Sequence, residues 1–534
     1  MNRRDFIKRT TLAVGALAAL PITAAVTKKP NILLILADDM GYSDASCYGG
    51  EIHTPNLAKL AENGVRFSQH YSTGRCWPSR ACILTGHYAQ PIGRDRMKGY
   101  NLGNRPKWAP LLPEMLKPLG YRSYHSGKWH IDGTPIEGGF DRSWGQERPK
   151  SKDAELIGCD WDRYFSSERW VEGKYTAPVK EGEPYYSTVA LADHAIACLK
   201  LHQEEYADKP FFQYVAFYSP HFPLHALPED INRYKDTYRE GWDSIRTKRW
   251  ERMKKMGLIN CGLSKLQPEI TTGYNQKPEV LKEVYGNGEE GTAVAWDSLT
   301  DEQKKFQPTK MAIHAAMITR MDLEIGRIIE QLKAMGEFDN TLIMFASDNG
   351  ASAEMLNRGD KHSKGSVPGS AEIYLCLGPA WGSAANTPFR FHKAWNHEGG
   401  ISSPFIAHWP NGINAKGEIR HDPSHLIDVV PTSLDVAGGT CKDRPGLSLV
   451  PAFEKDGAVQ HESLWWGHHG NKGLRMGDWK ISAAKQMKGV WELYDMKTDR
   501  SEMENLAEKH PEILQKLTKR WDEIEAGFME KLKE

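Results

Sequence analysis

The sequence has no excess of charge of either sign, no closely paired cysteines and no internal repeats. Lys and Arg together number 69, as do Asp and Glu, so the formal net charge of the 534 residues is zero. This balance gives no indication of a nucleic acid or a polyanion as a partner. The eight cysteines form no CxxC pair, so they match neither a zinc ribbon nor a disulfide scaffold. An anionic substrate would have to meet a local cluster of cations.

The N-terminal apolar run, Leu12 to Leu20, is too short to span a bilayer, and no cysteine follows it closely as a lipoprotein anchor requires. Arg3 and Arg4 precede the run and small residues follow it, which is typical of a twin-arginine export signal. We therefore predict a signal peptide over residues 1–25, export to the periplasm and no stable membrane anchor.

The length suffices for one large α/β domain and a smaller one. Towards the C-terminus the pattern changes to short strands, Leu474 to Ile481 and Gly489 to Tyr494, followed by an amphipathic helix over Pro511 to Leu532. We predict a main domain over residues 26–437 and a C-terminal α+β subdomain with a small antiparallel sheet over residues 438–534.

Several longer segments of the main domain have simple patterns. Apolar residues at helical spacing predict a core helix from Met311 to Met335. The charged stretch Asp230 to Gln307 lacks a strand pattern, and its position suggests an insertion that caps the cleft. The Gly- and Ser-containing stretch Ala351 to Ala385 predicts loops.

Polar side chains follow four predicted strands. In open α/β sheets ligands gather beyond the carboxyl ends of the strands, so these side chains are candidates for one site. The strands and the residues after them are Asn31 to Ala37 with Asp38 and Asp39, Tyr121 to His125 with Lys128 and His130, Phe211 to Tyr218 with His221, and Thr341 to Ser347 with Asp348 and Asn349.

Asp38, Asp39, Asp348 and Asn349 offer only oxygen ligands. Adjacent carboxylates repel each other unless a cation or hydrogen-bond donors compensate, although an Asp pair after a strand also suits a solvated turn. Oxygen-only sets favour hard cations, and Ca²⁺ tolerates an irregular set better than Mg²⁺. Zinc would require more nitrogen or sulfur. The pattern predicts a calcium site.

The segment Gly74 to Gly86 predicts a turn that leads into a helix, with Cys76 near the helix start. The positive field of a helix start and the neighbouring Arg80 would raise the reactivity of this thiol. A buried structural cysteine is the alternative for an isolated Cys, and it is the role that we assign to Cys82.

The C-x-P-S-R motif from Cys76 to Arg80, closed by L-T-G at residues 84–86, resembles the signature of type I sulfatases. In that family the cysteine is oxidised after translation to formylglycine, and the aldehyde hydrate attacks sulfur. The resemblance implies an alkaline-phosphatase-like α/β fold with a mostly parallel central sheet flanked by helices. It also implies bound Ca²⁺, with modified Cys76 among its ligands, and formylglycine-generating machinery that would act before export of the folded protein.

Two further segments resemble sulfatase motifs. Gly127 to His130 resembles the GKWH segment, and Asn386 to Ile401 resembles the arylsulfatase PFR…K…EGG segment. The resemblance implies that Lys128 and Lys393, with Arg80, bind the sulfate group. Without that context these lysines would be ordinary surface residues.

The remaining roles are carried over in the same way. The resemblance implies that Asp348 takes a proton from the attacking hydroxyl and that His221, which also contacts the substrate, protonates the leaving alcohol. His130 would assist the release of sulfate. Taken alone, His221 between two prolines also suits a structural role.

The chain is thus identified as a candidate sulfuric ester hydrolase of the arylsulfatase branch. A small-molecule or saccharide sulfate ester is the expected substrate, and a sulfated carbohydrate would suit an exported enzyme. A phosphatase or phosphonate monoester hydrolase of the same fold is the first alternative, but those enzymes more often use Thr or Ser with additional zinc ligands. The second is an inactive binding protein, against which every expected catalytic position is filled.

Overall fold

The computed structural model describes residues 28–95, 103–146, 148–149, 156–157, 163–176, 179–180, 183–270, 276–356 and 365–534. The predicted signal peptide, residues 1–25, lies outside the described residues. None of the helices that the structure describes is both long enough and apolar enough to cross a membrane.

The strands of the described chain form one large sheet, one four-stranded antiparallel sheet near the C-terminus and one two-stranded sheet. In chain order they are β1 (Asn31–Asp38), β2 (Val65–Tyr71), β3 (Arg122–Gly127), β4 (Arg142–Gly145), β5 (Arg148–Pro149), β6 (Leu156–Ile157), β7 (Arg169–Val171), β8 (Lys174–Thr176), β9 (Phe211–Pro220), β10 (Thr341–Ser347), β11 (Ser402–His408), β12 (Glu418–Arg420), β13 (Ser424–His425), β14 (Leu464–His468), β15 (Asn471–Met476), β16 (Trp479–Ala483) and β17 (Trp491–Asp495).

Helices cover both faces of the large sheet and one face of the C-terminal sheet. In chain order they are α1 (Pro55–Glu62), α2 (Cys76–Thr85), α3 (Leu112–Leu116), α4 (Ser187–Glu205), α5 (Pro228–Asn232), α6 (Gly241–Lys255), α7 (Pro278–Tyr285), α8 (Asp301–Ala334), α9 (Pro379–Ala385), α10 (Glu398–Ile401), α11 (Val429–Val436), α12 (Val450–Glu454) and α13 (Pro511–Lys531).

Strand β1 lies at the centre of the large sheet, whose order is β12-β2-β11-β10-β1-β9-β3-β4-β7-β8. Both neighbours of β1 run parallel to it, as does β3 beside β9. Alternate side chains of a strand point to opposite faces, and accordingly Leu33 and Ile35 belong to one hydrophobic core while Leu34 and Leu36 belong to the other. An apolar strand buried on both faces is what a parallel sheet requires.

Antiparallel strands extend the sheet at both ends. Strand β11 pairs antiparallel with β10 and β2, and β7 pairs antiparallel with β4 and β8. The predicted α/β class with a mostly parallel central sheet flanked by helices is confirmed by this arrangement.

The C-terminal sheet, in the order β14-β15-β16-β17, is wholly antiparallel. Helix α13 packs on it, with the Trp521 ring stacked on Trp465 at a centroid distance of 5.5 Å. The predicted single strand Leu474 to Ile481 is wrong. It is interrupted by a turn at Gly477, whose φ of 56° lies in the left-handed region that glycine adopts without strain, so β15 and β16 form a hairpin.

Two other predictions need correction. Helix α8 begins at Asp301 rather than Met311, because Thr300 caps it by accepting a hydrogen bond from the Gln303 amide and the helix continues through Pro308. The stretch Ala351 to Ala385 is not wholly loop, since α9 occupies its last residues. The core role of Cys82 is confirmed, because this side chain is fully buried in a hydrophobic cluster.

Candidate active site

The polar residues that follow the parallel strands lie at one edge of the sheet. Strands β10, β1, β9 and β3 are adjacent and parallel, so their carboxyl ends bring together side chains that are far apart in the sequence. Strand β3 ends at Gly127, whose φ of 118° only glycine adopts readily and whose added Cβ would lie 1.9 Å from the Ala216 carbonyl oxygen. This close approach brings Lys128 beside the end of β1.

Helix α2 begins at Cys76, which is 3% exposed. Arg75 before it is extended, with φ −149° and ψ 147°. One turn later the Arg80 guanidinium lies fully buried, donating from Nη1 to the Lys128 carbonyl oxygen at 3.0 Å. Cys76 lies close enough to Arg80 and Lys393 to interact with both cations.

The carboxylates of Asp38 and Asp348 share the cations on one side of the site. Arg80 donates from Nε and Nη2 to Asp348 Oδ2 at 3.1 and 2.8 Å, and its Nη2 lies 3.7 Å from Asp38 Oδ2. The Lys128 ammonium contacts Asp38 Oδ2 directly. Two carboxylates and two cations therefore meet with almost no exposure to solvent.

Asp39 is the centre of a second group of contacts. Its Oδ2 accepts from Lys393 Nζ at 2.8 Å and lies 3.6 Å from His221 Nε2. Its Oδ1 accepts from Asn349 Nδ2 at 2.6 Å, and its amide donates to Asp348 Oδ1 at 3.3 Å. The φ of Asp39 is 64°, a left-handed conformation that lets consecutive carboxylates point to different partners.

These environments shift the pKa values of the carboxyl groups in opposite directions. Burial alone would raise the pKa of Asp38, but the charges of Lys128, His221 and Arg80 hold it well below its usual value. Burial and the charge of Asp38 raise the pKa of Asp348 well above its usual value. Burial likewise raises the pKa of Asp39 despite the Lys393 contact.

Two oxygen atoms of this cluster are buried without a hydrogen-bond partner among the described residues: Oδ1 of Asp38 and Oδ1 of Asn349. Buried acceptors are normally satisfied, so these two oxygens are available to a cation. Ligand atoms of Asp38, Asp39 and His221 lie within 4.8 Å of one another. Except for the His221 nitrogen the donors are oxygens, so the residues present fit a hard cation such as Ca²⁺.

His130 lies against the residue that follows Cys76. Its φ of 53° is left-handed, and its ring packs edge-on against Trp77 with centroids 5.8 Å apart. The structure therefore places His130 against Trp77, the residue that follows Cys76 in helix α2. The connected carboxylate–cation cluster consists of Asp38, Asp39, Arg80, Lys128, His221, Asp348, Asn349 and Lys393. Whether each of these residues has its predicted role stays a prediction.

Sequence reasoning missed Glu354. Its buried carboxylate accepts from Arg75 Nη1 at 2.8 Å and lies 3.5 Å from Lys393 Nζ, so it connects the residue before Cys76 to a predicted sulfate ligand. Burial would raise its pKa, but Arg75 and Lys393 lower it to about 2, so Glu354 is ionised at neutral pH. No periodic pattern marks a single Glu in a loop, so no signal in the sequence could have identified it.

Arg163 was missed for a similar reason. Its Nη1 lies 2.9 Å from His221 Nδ1 and 3.3 Å from the Phe222 carbonyl oxygen, and its side chain is buried. Tyr164 donates from its hydroxyl to the His221 carbonyl oxygen at 2.8 Å. These contacts fix the His221 ring from behind.

The loop that bears Lys393 is held by a close backbone contact and by a buried ion network. The Gly350 amide donates to the Gly400 carbonyl oxygen at 3.0 Å, and a Cβ on Gly350 would lie 1.9 Å from the Gly399 carbonyl oxygen. Glu398 beside them pairs through Oε1 with Lys480 Nζ at 2.8 Å. The C-terminal sheet thereby anchors the loop after α9.

Comparison with known proteins identifies the family. The family model described as Sulfatase matches residues 30–439, and the model described as N-sulphoglucosamine sulphohydrolase, C-terminal, matches residues 389–527. An uncharacterised sulfatase of Schizosaccharomyces pombe is 33% identical, with 94% of each chain aligned. An arylsulfatase of Klebsiella aerogenes is 32% identical over 81% of this chain and 91% of its own length.

More distant relatives are named for sugar substrates. An N-acetylglucosamine-6-O-sulfatase of Bacteroides thetaiotaomicron is 27% identical over 92% of this chain and 86% of its own length. A protein solved in complex with its substrate D-glucosamine-2-N,6-O-disulfate has a TM-score of 0.64 at 22% identity, covering 94% of this chain and 99% of that one. The protein solved in complex with k-i-k-neocarrahexaose also has a TM-score of 0.64, at 23% identity, with 93% of each chain covered.

The fold is alkaline-phosphatase-like, and one edge of its sheet brings carboxylates and cations together beside the helix that begins at Cys76. This arrangement is typical of a hydrolase that acts on anionic esters. The chain belongs to the type I sulfatase family, as its signature motif predicted. It is an enzyme, and its reaction is the hydrolysis of sulfate esters.

Proposed function

We propose that the enzyme cleaves sulfate monoesters through formylglycine at position 76 and a Ca²⁺ ion bound beside it. The observation that carries this proposal is the pair of orphaned oxygens, Asp38 Oδ1 and Asn349 Oδ1, buried in the cluster that adjoins the start of helix α2. An unsatisfied oxygen-rich pocket next to the signature cysteine suits a cation and a substrate anion together.

Asp38, Asp39, Asp348 and Asn349 would hold the Ca²⁺ ion, with residue 76 as a further ligand. When bound, the ion supplies positive charge that offsets the repulsion of the carboxylates and attracts the sulfate oxygens. Formylglycine supplies, as its hydrate, one hydroxyl for attack on sulfur and a second for the release of sulfate, which a thiol lacks.

The cations of the chain provide the rest of the anion site. Arg80, Lys128 and Lys393 are each buried, and each faces a carboxylate of the cluster. With a divalent cation satisfying those carboxylates, the same ammonium and guanidinium groups become available to sulfate oxygens. Fixed positive charge aimed at a developing negative charge is usually the largest catalytic term.

Proton transfer is assigned to residues of the cluster and to His130. Asp348, whose Oδ2 accepts from Arg80, would take the proton from the attacking hydroxyl. His221 presents Nε2 to the cluster and, together with the Lys393 ammonium that contacts the same Asp39 carboxylate, would deliver the proton to the leaving oxygen. His130 would assist the release of sulfate.

The substrate that we propose is a sulfated carbohydrate. The support is that curated relatives include an N-acetylglucosamine-6-O-sulfatase and that one solved protein of the same fold was captured with a glucosamine disulfate. A phosphate ester remains the alternative substrate class.

We further propose that the chain is exported by its twin-arginine segment, residues 1–25, and acts in the periplasm. Formylglycine-generating machinery would then modify Cys76 before the folded protein leaves the cytoplasm. The division at residues 437 and 438 into a sulfatase domain and a C-terminal subdomain is part of the same proposal.

The test is a comparison of 4-nitrophenyl sulfate and 4-nitrophenyl phosphate, which share a leaving group, with and without added Ca²⁺ after chelation. We expect kcat/KM for the sulfate ester to exceed that for the phosphate ester by at least about 10²-fold, or ~2.7 kcal/mol of transition-state binding. A preference for phosphate, or full activity in the chelated protein, would contradict the proposal.

A further inference from the structure

The two residues that flank Cys76 belong to a preformed group of side chains at the nucleophile. Arg75 is fixed by its hydrogen bond to Glu354, and its guanidinium carbon lies 5.3 Å from the centre of the Trp77 ring. Trp77 is half-buried and directly follows the nucleophile in helix α2. One indole face is therefore held against a cation within one residue of the reacting centre.

Three imidazoles surround the same indole. The rings of His130, His468 and His469 meet Trp77 in edge contacts, with centroid distances of 5.8, 5.3 and 6.2 Å. His130 follows strand β3, whereas His468 and His469 lie where β14 turns into β15. The C-terminal sheet therefore reaches the side of the active site that bears Trp77.

The two histidines of this turn differ in their surroundings. His468 is buried, with Nδ1 2.9 Å from Asp95 Oδ1, so it anchors the turn to the main domain. His469 is exposed and has a φ of 50°, and Gly470 after it has a φ of 84°. Two consecutive positive φ values describe a type I′ hairpin turn, in which Asn is the favoured first residue.

A histidine at this turn position therefore has a higher conformational cost than Asn, and its ring is only partly shielded from solvent. Strained residues of this kind cluster at ligand sites. Burial, with the charge of His468 adding to it, lowers the pKa of His469 to about 4. At neutral pH its ring is neutral and offers one donor and one acceptor, which is the pattern that hydroxyl groups match.

Chemistry fixes where the leaving group must lie. A sulfate ester bound at Cys76 is joined through one oxygen to the carbon that bears it, so the ring of the substrate must lie next to Cys76. Trp77 directly follows Cys76 in helix α2, and the His469 ring lies 6.2 Å from the Trp77 ring, so both residues are near that position. Apolar aromatic surface with a few placed polar groups is the usual composition of a small-molecule site.

We propose that Trp77 and His469 form the subsite that holds the sugar ring bearing the scissile sulfate. Trp77 provides the apolar surface for the ring, and His469 hydrogen-bonds its hydroxyl groups. This assignment rests on the proposed function, since it presumes a sulfated saccharide as substrate. It makes the C-terminal turn a determinant of specificity rather than of the sulfate chemistry.

The first test is His469→Asn, because Asn keeps the left-handed turn and removes the imidazole. The readouts are KM for the best-cleaved member of a panel of sulfated monosaccharides and the inhibition constant of inorganic sulfate, which has no ring. We expect KM to rise about tenfold, equivalent to about 1.4 kcal/mol, with the sulfate inhibition constant unchanged. Asp443→Asn, at another exposed left-handed position, is the matched control and should change neither value.

The second test is Trp77→Leu, which keeps an apolar side chain and helix propensity but removes the aromatic surface. Its control is Trp409→Leu, another half-buried tryptophan, which follows strand β11. We expect the same selective rise in KM. If Trp77→Leu does not fold, His469→Asn alone decides.

Two outcomes would overturn the assignment: equal changes in sugar-sulfate and inorganic-sulfate binding, or no change in either value. A wild-type enzyme that cleaves 4-nitrophenyl sulfate but no sulfated monosaccharide would also overturn it. These results differ from failure of the proposed function, in which the formylglycine-containing wild type would hydrolyse no sulfate ester.

Discussion

Two buried clusters of charge lie on either side of the Lys393 loop, and they differ in how completely their groups are satisfied. The first cluster consists of Glu398, Lys480, Arg500 and Glu502. Within it, Glu398 pairs with Lys480 and Arg500 at 2.8 and 3.0 Å and accepts from the Tyr71 hydroxyl at 3.2 Å. Its pKa, which burial would raise, is lowered to about 2 by Lys480 and Arg500. This cluster is complete without a ligand.

The active-site cluster is incomplete by the same criteria. Asp38 Oδ1 and Asn349 Oδ1 have no partner among the described residues, and the pKa values of Asp39 and Asp348 are raised rather than lowered. A complete network is typical of a structural role, whereas unpartnered polar groups and raised carboxyl pKa values are typical of functional sites, which agrees with the ion and substrate site that we propose here. The predictions below test this distinction.

The largest effect is expected for Cys76→Ala. We expect sulfate ester hydrolysis to fall at least about 10³-fold, because the variant cannot form the nucleophile. The matched control is Cys82→Ala, six residues away in the same helix but buried in the hydrophobic core, which should stay active. Activity of the two variants on 4-nitrophenyl sulfate is the measurement. Equal losses in both would contradict the account.

The next effect concerns the incomplete cluster. Asp38→Asn keeps the size of the side chain but removes the charge that a divalent cation needs. We expect the rise in Tm on adding Ca²⁺ to disappear and kcat/KM to fall about 10²-fold. The control is Glu398→Gln in the complete cluster, which should keep its calcium-dependent rise in Tm even at a lower starting Tm. Loss of that rise in the control would remove the distinction between the clusters.

Breaking the complete cluster should cost stability instead. Lys480→Met leaves Glu398 and Glu502, both fully buried, without one of their cations. We expect the free energy of unfolding to fall by about 3–5 kcal/mol. Lys509→Met, which breaks an exposed pair with Glu504, should cost no more than about 1 kcal/mol. Urea unfolding of both variants is the measurement, and similar small losses would show that the buried network is not stabilising.

The smallest expected effect is on how steeply the free energy of unfolding changes with pH. The pKa of Glu398 is about 2 in the fold against an ordinary value of 4.5, so its stabilising contribution is present above pH 4.5 and is lost as the pH falls towards 2. Glu398→Gln removes this titration. We expect the unfolding free energy of the variant to fall less steeply over that interval than that of the wild type. Equal pH dependence of the unfolding free energy in the wild type and in Glu398→Gln would contradict the lowered pKa of Glu398.

Much of the site could be predicted from the sequence because its residues follow strands or lie in short motifs. The apolar run before Asp38 and the one before Asp348 predict adjacent parallel strands, and parallel strands bring their carboxyl ends together. The C-x-P-S-R motif then identifies Cys76. These signals are local, and each is visible within a dozen residues.

Other features depend on pairings between distant residues and leave no local pattern. Glu354 reaches Arg75 and Lys393, and Arg163 reaches His221, from loops without periodicity. The early start of α8 was missed because Pro308 resembles a helix breaker while Thr300 in fact caps the helix. The hairpin at Gly477 has a single glycine as its turn signal, and one glycine within a strand pattern is also compatible with a continuous strand.

The most direct test of the central claim is mass spectrometry of the peptide containing Cys76, from enzyme produced in its native host and assayed in parallel. The account predicts formylglycine at position 76, in a fraction that rises and falls with specific activity on sulfate esters. Full sulfatase activity from protein whose residue 76 is only unmodified thiol would contradict it.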